Sequence, residues 1–250
     1  MIATAYNRMR RFRADWKLTL LTAVLLPMML SLGFWQLRRE AEKLELQAVW
    51  DARQVEMPVA LSTVDTAEDQ QYRQVHARGH FDNTHMFLLD DRTYQGKVGY
   101  EVIVPLMTDE GTVALVNRGW QPLGVSRAEL PLVAPIEGSV MIAASIYQPV
   151  GEAFLLGSEL ETGGWPKVIQ ELDPPRLAAL AGYIDKAKVF PYSLRLSEAA
   201  PGALIRYWPV ISTTPEKHRG YAVQWFLMAT ALLSLYLYYS TRAESTDNSR

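Results

Sequence analysis

The chain has 250 residues, 49% of them hydrophobic and 21% charged, the balance of a folded protein. Its formal charge of −2 gives no general attraction to nucleic acid, and it has neither a lysine-rich tract nor a recognisable nucleic-acid-binding module. The lack of cysteine excludes disulfides, thiolate metal sites and cysteine nucleophiles, which leaves histidine, carboxylates and methionine as possible ligands.

A basic leader with Arg8, Arg10, Arg11, Arg13 and Lys17 comes first, and residues 1–17 are expected to stay in the cytoplasm. Residues 18–37, "LTLLTAVLLPMMLSLGFWQL", carry no charge. About 20 apolar residues are what a helix needs to cross the hydrocarbon core, so this is a first expected span, kinked at Pro27. The run ends in Phe34, Trp35, Gln36 and Leu37 without a small-residue cleavage pattern, which favours an anchor over a cleaved signal.

The segment 38–215 reads mostly as strands. A charged helical stretch opens it, "REAEKLELQAVWDARQ". In "RQVHARGHF" the residues Val75, Ala77, Gly79 and Phe81 alternate with Gln74, His76, Arg78 and His80. The runs "HMFLLDD", "VGYEVIVPL", "TVALVNRGW", "SVMIAASIY" and "YSLRLS" follow, and "PPRLAALAGY" is a short helix with prolines suited to its first turn. Regularly spaced short strands predict an antiparallel barrel or sandwich.

His76, His80 and His85 invite a metal reading, but two strand residues four apart are separated by roughly 13 Å, too far for one ion. A hairpin at Asp82 and Asn83 would be needed to bring His85 opposite His80. Asp90 and Asp91 are neighbours on opposite faces of a strand, the wrong arrangement for a shared proton. No nucleophile elbow, phosphate loop or dinucleotide fingerprint is present, so the segment gives no positive sign of an enzyme.

A second uncharged run, "YAVQWFLMATALLSLYLYYS", covers residues 221–240, and the expected helix begins near Glu216, after Pro215 and a capping Thr213 or Thr214. Residues 241–250 form a short polar tail. At 100° per residue, His218, Tyr221, Trp225, Ala229 and Leu232 share one stripe, and Gln224 lies about 9 Å deeper on an adjacent face. Trp35, Gln36, Arg38 and Arg39 leave the first span at the level where His218 enters the second. A neutral imidazole can ligate haem iron, flat rings suit a porphyrin and guanidinium groups suit its propionates. The same residue types also furnish any membrane interface, where a histidine can simply be wet. Spacing alone leaves both readings open.

The order of "GFWQLRR", "RGHFD", "DDRTYQGKVGYEVIVPL", "VNRGW" and "PEKHRGYAVQWF" between two terminal spans resembles the Surfeit-locus cytochrome c oxidase assembly factor family, called Shy in yeast, over nearly the whole chain. The resemblance implies a membrane-anchored α+β protein of the bacterial inner membrane, or the mitochondrial one, multi-pass, with two transmembrane helices flanking an extracytoplasmic antiparallel β-barrel or sandwich-like domain, both termini cytoplasmic and the large loop periplasmic. It implies a non-enzymatic haem chaperone that binds haem a transiently and assists its insertion into oxidase subunit I during respiratory-chain complex IV biogenesis. Haem a synthase and other assembly factors are expected as further partners, beside membrane lipid. The family's histidine matches His218, expected as haem-iron ligand, with Tyr221 and Trp225 as walls and Arg38 or Arg39 near the propionates. Arg219 stands where relatives commonly have an apolar residue. Asn117 and Arg118 of "VNRGW" are expected at a structural or docking corner. A cofactor-free scaffold that stabilises nascent oxidase subunits is the alternative, and a hydrolase or metal enzyme built on His80, His85 and Asp82 a distant third.

Overall fold

The computed structural model describes residues 15–124, 129–148, 164–184, 186–211 and 213–241. The basic cluster Arg8 to Arg13 and the polar tail beyond residue 241 lie outside the described residues. The chain divides into two units, Met1–Ala48 with Val210–Arg250, and Val49–Pro209.

The first unit is built on two helices. Helix α1, Trp16–Val55, joins the expected span and the charged stretch after it into 40 continuous residues, its last two turns belonging to the second unit. Asp15 starts it by accepting from the amides of Lys17 at 2.7 Å and Leu18 at 3.3 Å, two donors that no helical carbonyl can reach. Helix α3, Pro215–Thr241, begins with its proline where a missing N–H costs nothing. Both helices are long and apolar enough to cross a membrane.

The two run antiparallel. Thr19 Oγ1 is 3.1 Å from Tyr236 Oη at one end, the rings of Phe34 and Phe226 meet edge-on at 5.3 Å, and Gln36 reaches His218 near the other end. Gly33 and Ala222 are buried at this contact, where small residues let backbones approach. Leu21, Val24, Leu227 and Leu235, by contrast, present half or more of their surface outward.

The second unit is a sheet of eight strands: β1 (Val59–Ala60), β2 (Gln74–Phe81), β3 (Phe87–Tyr94), β4 (Lys97–Thr108), β5 (Thr112–Pro122), β6 (Ser139–Tyr147), β7 (Lys167–Ile169) and β8 (Lys188–Leu196). Their order is β1-β2-β6-β8-β5-β4-β3-β7, and β2 also pairs with β4, which closes five strands into a barrel. A barrel, and not a sandwich, is therefore formed. The expected antiparallel pairing needs correction at β5–β8, β1–β2 and β3–β7, which are parallel. Only antiparallel neighbours can be joined by tight turns; β8 reaches β5 after β6, β7 and a helix have intervened.

The period of two in β2 holds residue by residue: Val75, Ala77, Gly79 and Phe81 are buried, while His76, Arg78 and His80 are exposed. The inward row joins Leu88, Val102, Val104, Val116, Ile142, Ile146 and Leu194 in the barrel core. A second core forms on the outside, where α2 (Pro174–Leu180) lays Leu177 and Ala178 on Phe87, Leu89, Ile103 and Leu115. Each fully buried Leu, Ile or Phe is worth about 1.5–3 kcal/mol over leaving it in water. Asp173 caps α2 from Arg176 N at 3.3 Å, and Gly182, at φ 78°, ends it in a conformation glycine adopts without strain.

Candidate functional site

The helix pair carries the residues the sequence singled out and brings His218 of α3 against Gln36 of α1. His218 is half-buried in the first turn of α3. Its Nδ1 lies 2.8 Å from Oε1 of Gln36 on α1, while its Nε2 is fully buried and has no hydrogen-bond partner. A buried ring nitrogen without a partner is uncommon, because leaving it so costs about 1–3 kcal/mol.

Trp225 and Phe226 are also half-buried, and Ala222 and Ala229 are buried, so the face toward α1 follows positions 218, 222, 225 and 229. Tyr221 departs from the shared stripe, since it stands 60° away from His218 around the helix and is 52% exposed. Arg38 is exposed. Arg39 is held by Glu42 at 2.7 Å and covers the ring of Trp35 at 5.8 Å from its centroid. Arg219 points its Nε to Glu40 Oε1 at 3.7 Å, so α1 supplies a counter-charge to the residue that departs from the family pattern. Gln224 is exposed.

Gln36 is the participant that sequence reasoning left without a role. An amide at the end of an apolar run needs a partner, and the facing helix supplies the His218 imidazole.

In the second unit the three clustered histidines separate. His76 and His80 remain on the exposed row of β2. His85 lies in the β2–β3 turn, where its Nδ1 is 2.5 Å from Asp82 Oδ2 and its ring meets Trp165 edge-on at 4.6 Å. Asp82 also accepts from Thr84 N at 2.9 Å and from the Tyr183 hydroxyl beyond α2. Burial alone raises the Asp82 pKa, but the bonds from Thr84, Tyr183 and His85 together outweigh it and hold the carboxyl well below the usual range. Tyr183 shifts the opposite way, upward, through burial and then through the Asp82 carboxylate it faces. This cluster staples the turn to α2. Among the described residues no three histidine or carboxylate side chains gather as a metal site.

At the "VNRGW" corner Arg118 is 2% exposed and gives Nε to Gly202 O at 2.9 Å and Nη1 to Ala134 O at 3.0 Å. Asn117 donates to Glu101 at 2.5 Å and accepts from Gly119 N at 3.0 Å. The corner is structural. Beside it Arg195 stacks on Tyr147, its guanidinium carbon 3.4 Å from the ring centroid and 5.3 Å from that of Trp208. A cavity of about 460 Å³ opens there between Trp50, Tyr94, Leu204, Arg206 and Trp208.

The comparisons with known proteins agree with the sequence motifs. The family model described as SURF1 family matches residues 23–230. The chain is 34% identical over 93 residues to the cytochrome oxidase assembly protein SHY1 of Saccharomyces cerevisiae, a match covering 36% of this chain and 24% of the yeast protein. It is 26% identical over 223 residues to a SURF1-like protein of Monosiga brevicollis, covering 83% of this chain and 82% of that one. Surfeit locus protein 1 of Xenopus tropicalis is 31% identical over 134 residues, covering 46% of this chain and 43% of the frog protein. The matched family model takes in the Gly33–Phe226 contact, the Gln36–His218 pair and the whole barrel, and the chain belongs to the SURF1 family.

Proposed function

We propose that the chain is a non-enzymatic assembly factor for cytochrome oxidase, anchored in the inner membrane by α1 and α3, that binds haem a transiently and passes it to oxidase subunit I. In this reading both termini are cytoplasmic, the barrel unit lies on the outer side, and haem a synthase is a natural donor of the cargo. Kinship to a yeast protein named for oxidase assembly supports the process. Outward-facing leucines and valines on both helices support the anchor, since water would not tolerate them in such numbers.

The observation that carries the haem reading is the His218 imidazole, whose one nitrogen is satisfied by Gln36 while the other is buried and unpartnered. That is the state a histidine needs in order to ligate a metal. Haem a, when bound, would supply a Lewis-acidic iron that a neutral imidazole nitrogen can ligate. His218 would hold it, with Trp225 beside the histidine and the exposed Tyr221 as a wall nearer the lipid. Arg38 is exposed, and Arg39, which lies over Trp35, is tied to Glu42 by a pair half open to solvent, an interaction worth about 0–1 kcal/mol and easily exchanged for a propionate. One ligating histidine suits a carrier that must release its cargo.

The test is an absorption spectrum of the detergent-purified protein from a host that makes haem a, wild type beside His218→Ala. Soret and α bands are expected in the wild type and absent in the variant. An intact wild type without haem would sink this reading and favour a cofactor-free scaffold.

A further inference from the structure

We propose that Gln36 is a positioning residue that selects the tautomer of His218 and so decides which ring nitrogen faces a metal. The proposal rests on the reading of His218 as ligand and gives that site its missing part. A neutral imidazole carries one N–H and one lone pair. The carbonyl Oε1 of Gln36, 2.8 Å from Nδ1, has only lone pairs to offer, so Nδ1–H donates to it and the lone pair falls on Nε2.

Nε2 is the buried atom without a partner. A histidine serving only to tie two helices would gain nothing from burying a lone pair without a partner. A Lewis acid is the partner a lone pair on Nε2 fits. Metal-bound histidines generally donate their other N–H to a carbonyl or carboxylate, which fixes the ring and raises the basicity of the ligating nitrogen.

The two residues lie 182 positions apart and meet only because α1 and α3 are antiparallel, with Phe34 on Phe226 just below and Arg219 facing Glu40 just above. Gln36 is half-buried itself, so its amide is held between the helices. Replacement by glutamate keeps an acceptor at Nδ1 and strengthens it. Replacement by leucine keeps the volume and removes the acceptor.

The experiment has two readouts on the full-length protein in detergent. The first is the ¹⁵N spectrum of histidine-labelled protein without haem, the His218 signals assigned by their loss in His218→Ala. We expect protonated Nδ1 and unprotonated Nε2 in the wild type and in Q36E, and a mixture or the reverse in Q36L. The second is titration with haemin, read at the Soret band. Q36L should bind about 10–100-fold more weakly, the usual cost of losing such an outer partner. Q36E should restore the affinity and lower the midpoint potential of the bound iron.

A wild-type His218 protonated on Nε2 would overturn the assignment. Unchanged haemin affinity in a folded Q36L, with its tautomer altered, would overturn the positioning role while leaving His218 as ligand. A wild type with free Nε2 that takes up no haemin would overturn the ligand reading, and the positioning role with it, while the tautomer stands as measured.

Discussion

Gly33 of α1 lies flat against the ring of Phe226 of α3: a β-carbon at position 33 would stand 2.6 Å from Phe226 Cε1. The close approach that this glycine allows sets the spacing of the helix pair, and the Gln36–His218 bond sits one turn further along. Gly33→Val should force the helices apart and destabilise the pair by about 1–3 kcal/mol, as overpacking does elsewhere. Gly33→Ala should cost less, because the clash is with a ring that can turn. Denaturation of the purified protein in detergent, followed by helical circular dichroism, checks this, and equal midpoints for wild type and valine variant would show that the contact does not set the spacing.

Arg118 carries a second prediction. Its guanidinium is buried and bonds the carbonyls of Gly202 and Ala134, tying two loops to β5. Burial lowers its pKa. Arg118→Met removes the charge and both hydrogen bonds to these part-buried carbonyls, a loss of about 2–4 kcal/mol in all. For a protein of this size that is a fall in Tm of roughly 5–15 °C. A loss under about 2 °C would mean that the loops hold without it.

Gly119, the next residue, has φ 121°, and a β-carbon there would lie 2.7 Å from Ile205 O. Backbone, not a movable side chain, is in the way. Leu204 N and Ile205 O are bonded to Arg118 O and Trp120 N at 2.8 and 2.6 Å. Gly119→Ala should therefore displace residues 204–205 and disturb the cavity beside Trp208. The expected result is a loss of about 2 kcal/mol or more together with a changed near-ultraviolet spectrum of the tryptophans. An unchanged spectrum would show that the corner absorbs the methyl group.

The elements with strong periodicity were legible in the chain. The strand alternation of 74–81 reads directly as core and surface, and the helix at Pro215 follows from a proline, a polar first turn and an apolar run. What stayed hidden depends on partners far away in sequence. The two-residue β1 and three-residue β7 are too short to show a period, and they exist because β2 and β3 offer them an edge. The parallel pairing of β5 with β8 is set by closure of the barrel. At the site, His218 stood out by its position beside an apolar run, whereas Gln36 acquires its meaning only when the other helix is folded against it.

The turn at Asp82 gives a pH dependence whose sign is fixed. Three side chains and a backbone amide stabilise its carboxylate, so its pKa is lower in the folded chain than in the unfolded one, near 3.9. A depressed carboxylate contributes stability that is fully present above the unfolded value and is lost as the pH falls toward the folded one. The Tyr183 hydroxyl, shifted upward, contributes stability below about pH 10 that is lost above it. Asp82→Asn should lower stability near neutrality by about 1–3 kcal/mol. Below about pH 4 the wild type should lose stability more steeply than the variant, so that the two curves converge. Tyr183→Phe should cost about 0.5–1.5 kcal/mol at neutrality and remove the alkaline loss. Thermal unfolding of the three proteins between about pH 3 and pH 12 decides the matter. Parallel curves for wild type and Asp82→Asn in acid would mean that the carboxylate is no better held in the folded chain than in water.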